Sequence, residues 1–414
     1  MKNIFIAVFL VICCTSFTSI GGGKPPVSVN TEKTEAGRLE TEAFDILLTM
    51  TLEEKVGQLF ICDPGMLCGA WETSEANQIL LSNIKKYHPA GFVFFKPNIK
   101  TPEQTKHFIG DLQAASKIKL LISVDEEGGL VSRIGSNPNM RFKKQPAMSD
   151  IGKTGDPAKA YTAGAELGSG LRSLGFTLNF APVADVNTNP GNPVIGTRSF
   201  GPDPASVANF VAQAVKGLQD NNISAVLKHF PGHGDSVTDS HTGAVSLQHD
   251  LERLNAVEFV PFIAGIAAGA DAVMIGHISL PNVTGGLTPA TISGKIVTDI
   301  LRGDLGYNGL VITDSLSMDA VSMYYELPDY CVKSILAGCD LLLLQSDARK
   351  GNTIAQFDEA YNAVLAAVKG GVISEDRLNQ SVGRVLRVKA RNYIYKGCCT
   401  GYPRCATALS TWRI

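Results

Sequence analysis

Residues 119–127 read KLLISVDEE, a short apolar, β-rich run that ends on three acids. It lacks the strict polar alternation of a half-exposed strand, so it fits a strand buried on both faces. Working outward, similar runs stand at GQLFICD (57–63), AGFVFFKP (90–97), FTLNFAPVADV (176–186), ISAVLKHF (223–230), ADAVMIGHIS (270–279), GLVITDS (309–315) and CDLLLLQ (339–345), which makes eight. Most intervals hold apolar residues at helical spacing, as in TPEQTKHFIGDLQAASK (101–117) and DPASVANFVAQAVKGLQDNN (203–222). Thr51 with Glu54, and Thr101 with Gln104, match the capping box in which a hydroxyl and the side chain three residues on satisfy orphan amides at a helix start. Eight buried strands, each followed by a helix, predict an α/β protein built as a single (β/α)8 TIM barrel, in preference to an open doubly wound sheet with a similar pattern. The polar residues favour the barrel too. Asp125 and Glu126 end the third run, Asp185 the fourth, Lys228 and His229 the fifth, His277 the sixth and Asp314 the seventh. A barrel brings those ends to one face, where active sites of this fold lie.

The chain has 414 residues, 44% apolar and 18% charged, with a formal net charge of -2. That composition excludes a nucleic-acid or polybasic membrane-surface signature and points to a small or neutral ligand. Residues 1–20 have the build of a secretory signal peptide, one Lys followed by an apolar run from Ile4 to Cys14. The run is shorter than the roughly 20 residues a lasting membrane helix needs. Residues 21–40 read as a flexible linker, 41–396 as the catalytic barrel and 397–414 as a Cys-containing tail. Export to the periplasm, the outer membrane or the exterior is expected, with membrane attachment only through lipid on Cys13 or Cys14, and a monomer is expected. Of the nine cysteines, Cys62 and Cys68 are close enough to close a small loop, whereas Cys339 in CDLLLL reads as a buried small hydrophobe.

The loop KHFPGHGDSVTDSH (228–241) gathers three histidines and two aspartates with one proline and two glycines. Its spacing matches no common zinc pattern, and Lys228 is a poor neighbour for a cation, so no metal is expected. The plain structural alternative is that these side chains satisfy loop backbone, and His233 is read that way. Asp239 and His241, two apart, face the same way on an extended loop, and a carboxylate beside an imidazole fixes its tautomer for proton transfer near neutral pH. Asp314, alone at the tip of an apolar strand, is the matching nucleophile or stabilising carboxylate.

With VDEEGGLVSR (124–133), NPVIGTRSF (192–200), VMIGHISLP (273–281) and VITDSLSMDA (311–320) in the same order, the chain resembles glycoside hydrolase family 3, in its β-N-acetylglucosaminidase branch, over about residues 45 to 395. The resemblance implies Asp314 as the nucleophile of a retaining reaction, His241 as general acid and base, and Asp239 as its orienting partner. It implies that Asp125, Arg133, Arg198, Lys228 and His229 hold the terminal sugar, with a GlcNAc-containing oligosaccharide from peptidoglycan or chitin as substrate and no cofactor. Alternatives are a β-N-acetylglucosamine phosphorylase, since a neutral base does not repel an anionic acceptor, a β-glucosidase-type hydrolase, and a non-catalytic envelope sugar-binding protein. Leu130 departs from the family pattern, where Arg follows DxEGG in many members, and an altered packing beside the sugar site is the expectation. No second α/β sandwich domain is expected after the eighth strand.

Overall fold

The structure is a computed structural model that describes residues 35–238, 243–346 and 353–393. After an N-terminal helix, α1 (Glu35–Thr49), eight parallel strands follow: β1 (Phe60–Cys62), β2 (Gly91–Phe94), β3 (Leu121–Val124), β4 (Leu178–Asn179), β5 (Ser224–Phe230), β6 (Ala272–Ile275), β7 (Leu310–Thr313) and β8 (Leu342–Leu344). Each matches one of the eight sequence runs. They pair in chain order with β8 against β1, and a parallel bridge between Ile312 and Leu341 joins β7 to β8, so the sheet closes into the expected barrel. The helices that follow the strands are α2 (Gln78–Tyr87), α3 (Pro102–Ala115), α4 (Ala158–Leu174), α5 (Pro204–Asp220), α6 (Phe259–Ala267), the π-wound α7 (Lys295–Asp304), α8 (Leu327–Ala337) and α9 (Thr353–Lys369).

Two apolar layers result from the strict alternation of side chains along each strand. Ile61, Val93, Leu121, Leu178, Val226, Met274, Ile312 and Leu343 point inward and fill the barrel, while Phe92, Ile122, Leu227, Val273 and Val311 point out against the helices. Both faces of every strand are therefore buried, which is why the runs read as apolar without polar alternation.

The last helix, α10 (Glu375–Tyr393), closes the end of the barrel where the strands begin. Val385 and Val388 join the interior cluster. Around them, Asn392 Nδ2 donates to Ser224 Oγ at 2.9 Å, Tyr393 Oη donates to the Leu120 carbonyl at 2.6 Å, and Arg391 pairs with Asp271. Lys389 is buried there against the Gln58 side chain, and burial holds its ammonium well below its ordinary value. Asp340, fully buried just before β8, takes Arg302 at 2.6 Å, Arg384 at 3.1 Å and Arg377 at 3.3 Å, together with the Val311 amide and the Ser381 hydroxyl.

Local expectations met different fates. Thr51 and Glu54 form the full reciprocal capping box. Thr101 accepts from the Gln104 amide, but Gln104 Oε1 takes the Lys100 amide rather than that of Thr101, and its Nε2 bridges to the Ser74 and Asn98 carbonyls. A tertiary task has captured half of that box. Cys62 and Cys68 are separate buried thiols, with Cys68 Sγ directed at the Pro64 carbonyl and the Thr73 hydroxyl. Cys339 is buried as expected. Among the described residues no helix is long and apolar enough to cross a membrane.

Removing one member of a buried charge cluster leaves its partners uncompensated, which costs about 3–5 kcal/mol. Asp340→Ala, which strands three largely buried guanidiniums, is expected to lower the urea-unfolding free energy by that amount. Lys153→Ala, which breaks an exposed pair with Asp150, should change it by less than about 1 kcal/mol.

Candidate active site

At the opposite end of the barrel the tips of β3, β4 and β5 carry a chain of alternating charges. Lys228, near the end of β5, lies 2.8 Å from Asp125 and 2.6 Å from Glu127, both just beyond β3. Glu127 in turn receives a two-pronged contact from Arg198, with Nε at 2.9 Å and Nη2 at 2.8 Å. Arg198 Nη2 stands 3.4 Å from His229 Nε2, and His229 Nδ1 lies 2.8 Å from Asp185. Arginine has no acceptor, so Nε2 is the accepting nitrogen and Nδ1 carries the proton toward Asp185. The Lys228–His229 and Phe230–Pro231 peptide bonds are cis.

Burial differs along this chain in a telling way. Glu127 and Asp185 are 1% and 0% exposed, Lys228 3%, whereas Asp125 keeps 18% and Arg198 12%. Desolvation alone would raise the Glu127 carboxyl, but the Arg198 guanidinium and the Lys228 ammonium outweigh it and bring it from 4.5 down to about 2. Conversely, burial would lower Lys228, and Asp125 and Glu127 raise it, so the ammonium stays charged. Asp185 is pulled down against its own burial by His229 and by the His233 amide. The result is a pocket wall whose charges nearly cancel.

Three supports fix these groups. Glu126, next to Asp125, turns away from the pocket and accepts from Ser132 Oγ and from the amides of Arg133, Ile134 and Gly135, which folds the segment so that Arg133 returns toward the rim. That fold needs glycine at 128, where φ is +90° and a Cβ would lie 2.6 Å from the Pro146 carbonyl. Asp185 accepts from the amides of His229 and His233 as well as from the His229 ring. His233 is loop scaffold, its Nδ1 2.7 Å from Ser236 Oγ and its carbonyl held by Asn192.

Asp314 stands immediately beyond β7, its amide donating to the Ile275 carbonyl at 2.8 Å and its carboxylate accepting from the Ser315 amide. Its charge reaches His233, where it partly offsets the burial that lowers that imidazole. His277 is buried with both ring nitrogens engaged, Nε2 donating to the Ser315 carbonyl and Nδ1 beside Thr291 Oγ1, so it positions the residue after Asp314.

The structure thus gathers Asp125, Lys228, His229 and Arg198 on one wall, with Asp314 at the tip of β7 on the same barrel face and within electrostatic range of His233. Arg133 shares the rim, its guanidinium 6.0 Å from the Phe95 ring and its Nε buried without a hydrogen-bond partner. Asp239 and His241 lie outside the described residues. Leu130 is 79% exposed and faces mainly solvent, contrary to the expectation of altered packing at the sugar site. Glu127 and the role of Asp185 are absent from the sequence reading. The spacing in Asp125-Glu126-Glu127 held a signal for the first, because side chains two apart on extended chain share a face.

Fold and site together define a (β/α)8 barrel of the glycosyl hydrolase kind, with its polar groups on the face where the strands end. More particularly, the chain belongs to glycosyl hydrolase family 3: that family's N-terminal domain matches residues 51–388. Beta-hexosaminidase A of Pseudoalteromonas piscicida is 30% identical over 368 residues, covering 83% of this chain and 61% of the relative. Beta-hexosaminidase of Stenotrophomonas maltophilia (strain K279a) is 38% identical over 301 residues, 71% of this chain and 84% of the relative. A glycoside hydrolase family 3 β-N-acetylglucosaminidase structure from Paenibacillus sp. str. FPU-7 superposes with a TM-score of 0.78 at 39% identity, covering 86% of this chain and 65% of that one. The chain therefore spans under two thirds of the length of the Pseudoalteromonas and Paenibacillus proteins.

A carboxylate held below its ordinary value contributes stability that is complete above 4.5 and disappears as pH falls toward about 2. Urea unfolding of the wild type and Glu127→Gln, compared from about pH 6 to about pH 2, should show the variant's deficit shrinking steadily below 4.5. A deficit independent of pH would mean that Glu127 does not balance Lys228 and Arg198.

Proposed function

We propose that the protein is a retaining exo-β-N-acetylglucosaminidase that removes terminal GlcNAc from peptidoglycan fragments or chitin-type oligosaccharides. The observation that carries this reading is the charge-balanced wall of Asp125, Lys228, Glu127 and Arg198 on the barrel face where the strand-tip carboxylate Asp314 also stands, Asp314 lying within electrostatic range of His233 behind that wall. Because Glu127 and Asp125 together balance the two cations, these serve as directed donors to sugar oxygens rather than as a trap for a free anion. Asp125, the more exposed acid, accepts from hydroxyls. Arg133, with its buried and unpaired Nε, and His229 complete the sugar contacts. The names of the relatives support the acetamido preference.

In the reaction Asp314 attacks the anomeric carbon as the glycosidic bond breaks, and His241 gives its proton to the leaving oxygen. The sugar is then ester-linked to Asp314. Water attacks the same carbon, His241 takes its proton, and the carboxylate leaves, so configuration is retained. Asp239 orients the imidazole. The leader, read as a signal peptide, puts this chemistry in the envelope or outside the cell, and the intact mass of the mature protein would show both the cleavage site and any lipid on Cys13 or Cys14.

The initial rate on an aryl β-N-acetylglucosaminide without phosphate should clearly exceed that on the matching β-glucoside. Equal rates would remove the acetamido preference, and turnover only after adding inorganic phosphate would replace hydrolysis by phosphorolysis. Asp314→Ala should lower kcat by a thousandfold or more, on the order seen when a nucleophile is removed. His241→Ala should cost about 10²–10⁴-fold on a poor leaving group and much less on a dinitrophenyl glycoside, which leaves without a proton.

A further inference from the structure

Two aromatic rings at the rim have no part in this mechanism. Phe94 pairs with Val124 in the β2–β3 register, so the next residues, Phe95 and Asp125, leave neighbouring strands side by side. Phe95 packs on the cluster that fills the barrel interior, which makes its ring part of the floor of the site. Trp71, from the segment after β1, lies against it with ring centroids 5.2 Å apart and planes inclined by 36°. Arg133 borders the same ring.

The pair is fixed from behind by one buried amide. Asn98 Oδ1 accepts from the Phe95 amide and Asn98 Nδ2 donates to the Thr73 carbonyl, both at 2.7 Å. Gln104 ties the Asn98 and Ser74 carbonyls together, and Cys68 Sγ meets Thr73 Oγ1 at 3.0 Å. Both ring-bearing segments are therefore held to one another, while Trp71 itself stays half-buried. Pre-set aromatic surface of this kind loses little entropy on binding.

Position around the barrel says which part of a ligand would meet it. Counting round the closed sheet, β2 and β3 are three and four strands from β7. Asp314, on β7, addresses the anomeric carbon, so the β2–β3 side meets the opposite end of the same ring. Pyranose rings carry polarised C–H groups that suit the negative face of an aromatic ring. Resting on the hexosaminidase reading, we infer that Trp71 and Phe95 form a platform for the non-reducing end of the terminal sugar, with Asp125 and Arg133 taking its hydroxyls. Trp71 is thereby a specificity-determining residue for the terminal sugar and not for the leaving group.

The test uses Trp412→Phe as background, which leaves Trp71 as the sole tryptophan of the two in the chain. Titration with free N-acetylglucosamine should change the Trp71 emission. Trp71→Ala should raise both the inhibition constant of that monosaccharide and the KM for an aryl N-acetylglucosaminide about tenfold, with kcat within about threefold, and Trp71→Phe should recover most of the loss. A raised KM for a disaccharide with an unchanged monosaccharide constant would move the platform to the leaving-group side and overturn the inference, as would no change in either. If emission responds to N-acetylglucosamine but no glycoside is turned over, the catalytic reading falls and the platform stands.

Discussion

Lys228 and Arg198 can lie in a nearly dry pocket because Glu127 sits between them. Two buried cations without a counter-charge would repel one another and lose their hydration, a cost of several kcal/mol each even after relaxation. Glu127 meets one as a point charge at 2.6 Å and the other as a planar fork, and it is itself kept ionised by both. Every other feature of the charged wall follows from that placement. Lys228 has reach left for Asp125, Arg198 has a nitrogen left for His229, and His229 is steered by Asp185 from below.

The two ends of the barrel treat charge in opposite ways. Where the strands begin, Asp340 is surrounded by three guanidiniums, an amide and a hydroxyl, so none of its acceptor capacity remains for a ligand. Where the strands end, Asp125 keeps exposed surface and Arg133 Nε has no hydrogen-bond partner. Saturated clusters stabilise; unsaturated ones wait for a ligand. The asymmetry is the one expected of this fold, in which one rim serves stability and the other chemistry.

How much of this the sequence disclosed depended on range. The strands were legible because burial on both faces leaves an unbroken apolar run, and their tips because a charge after such a run has no packing role. Thr51 and Glu54 were legible because both halves of the box are local. The pairings of Glu127 with Arg198 and of Asp185 with His229 were not, since those partners stand 71 and 44 residues away. The same reason hid Asn98, which joins segments 25 residues apart, and diverted Gln104 from its local cap. Leu130 shows the converse: a departure from a family pattern drew attention to a side chain that merely faces solvent.

The loop proposed to carry the acid–base pair follows an anchored stem. Asp235 accepts from Thr188 at 2.9 Å and lies 3.2 Å from His249, Asn189 holds the Ser236 carbonyl, and Asn192 holds that of His233. His233 itself is tied to Asp185, the carboxylate that orients His229 on the charged wall. A displacement of the stem would therefore disturb Asp185, and with it the His229–Arg198 contact. Asp239 and His241 follow Ser236 by three and five residues. The charged wall and the stem that leads toward residues 239 and 241 are thus referred to one buried carboxylate, so that a single stretch of chain sets both.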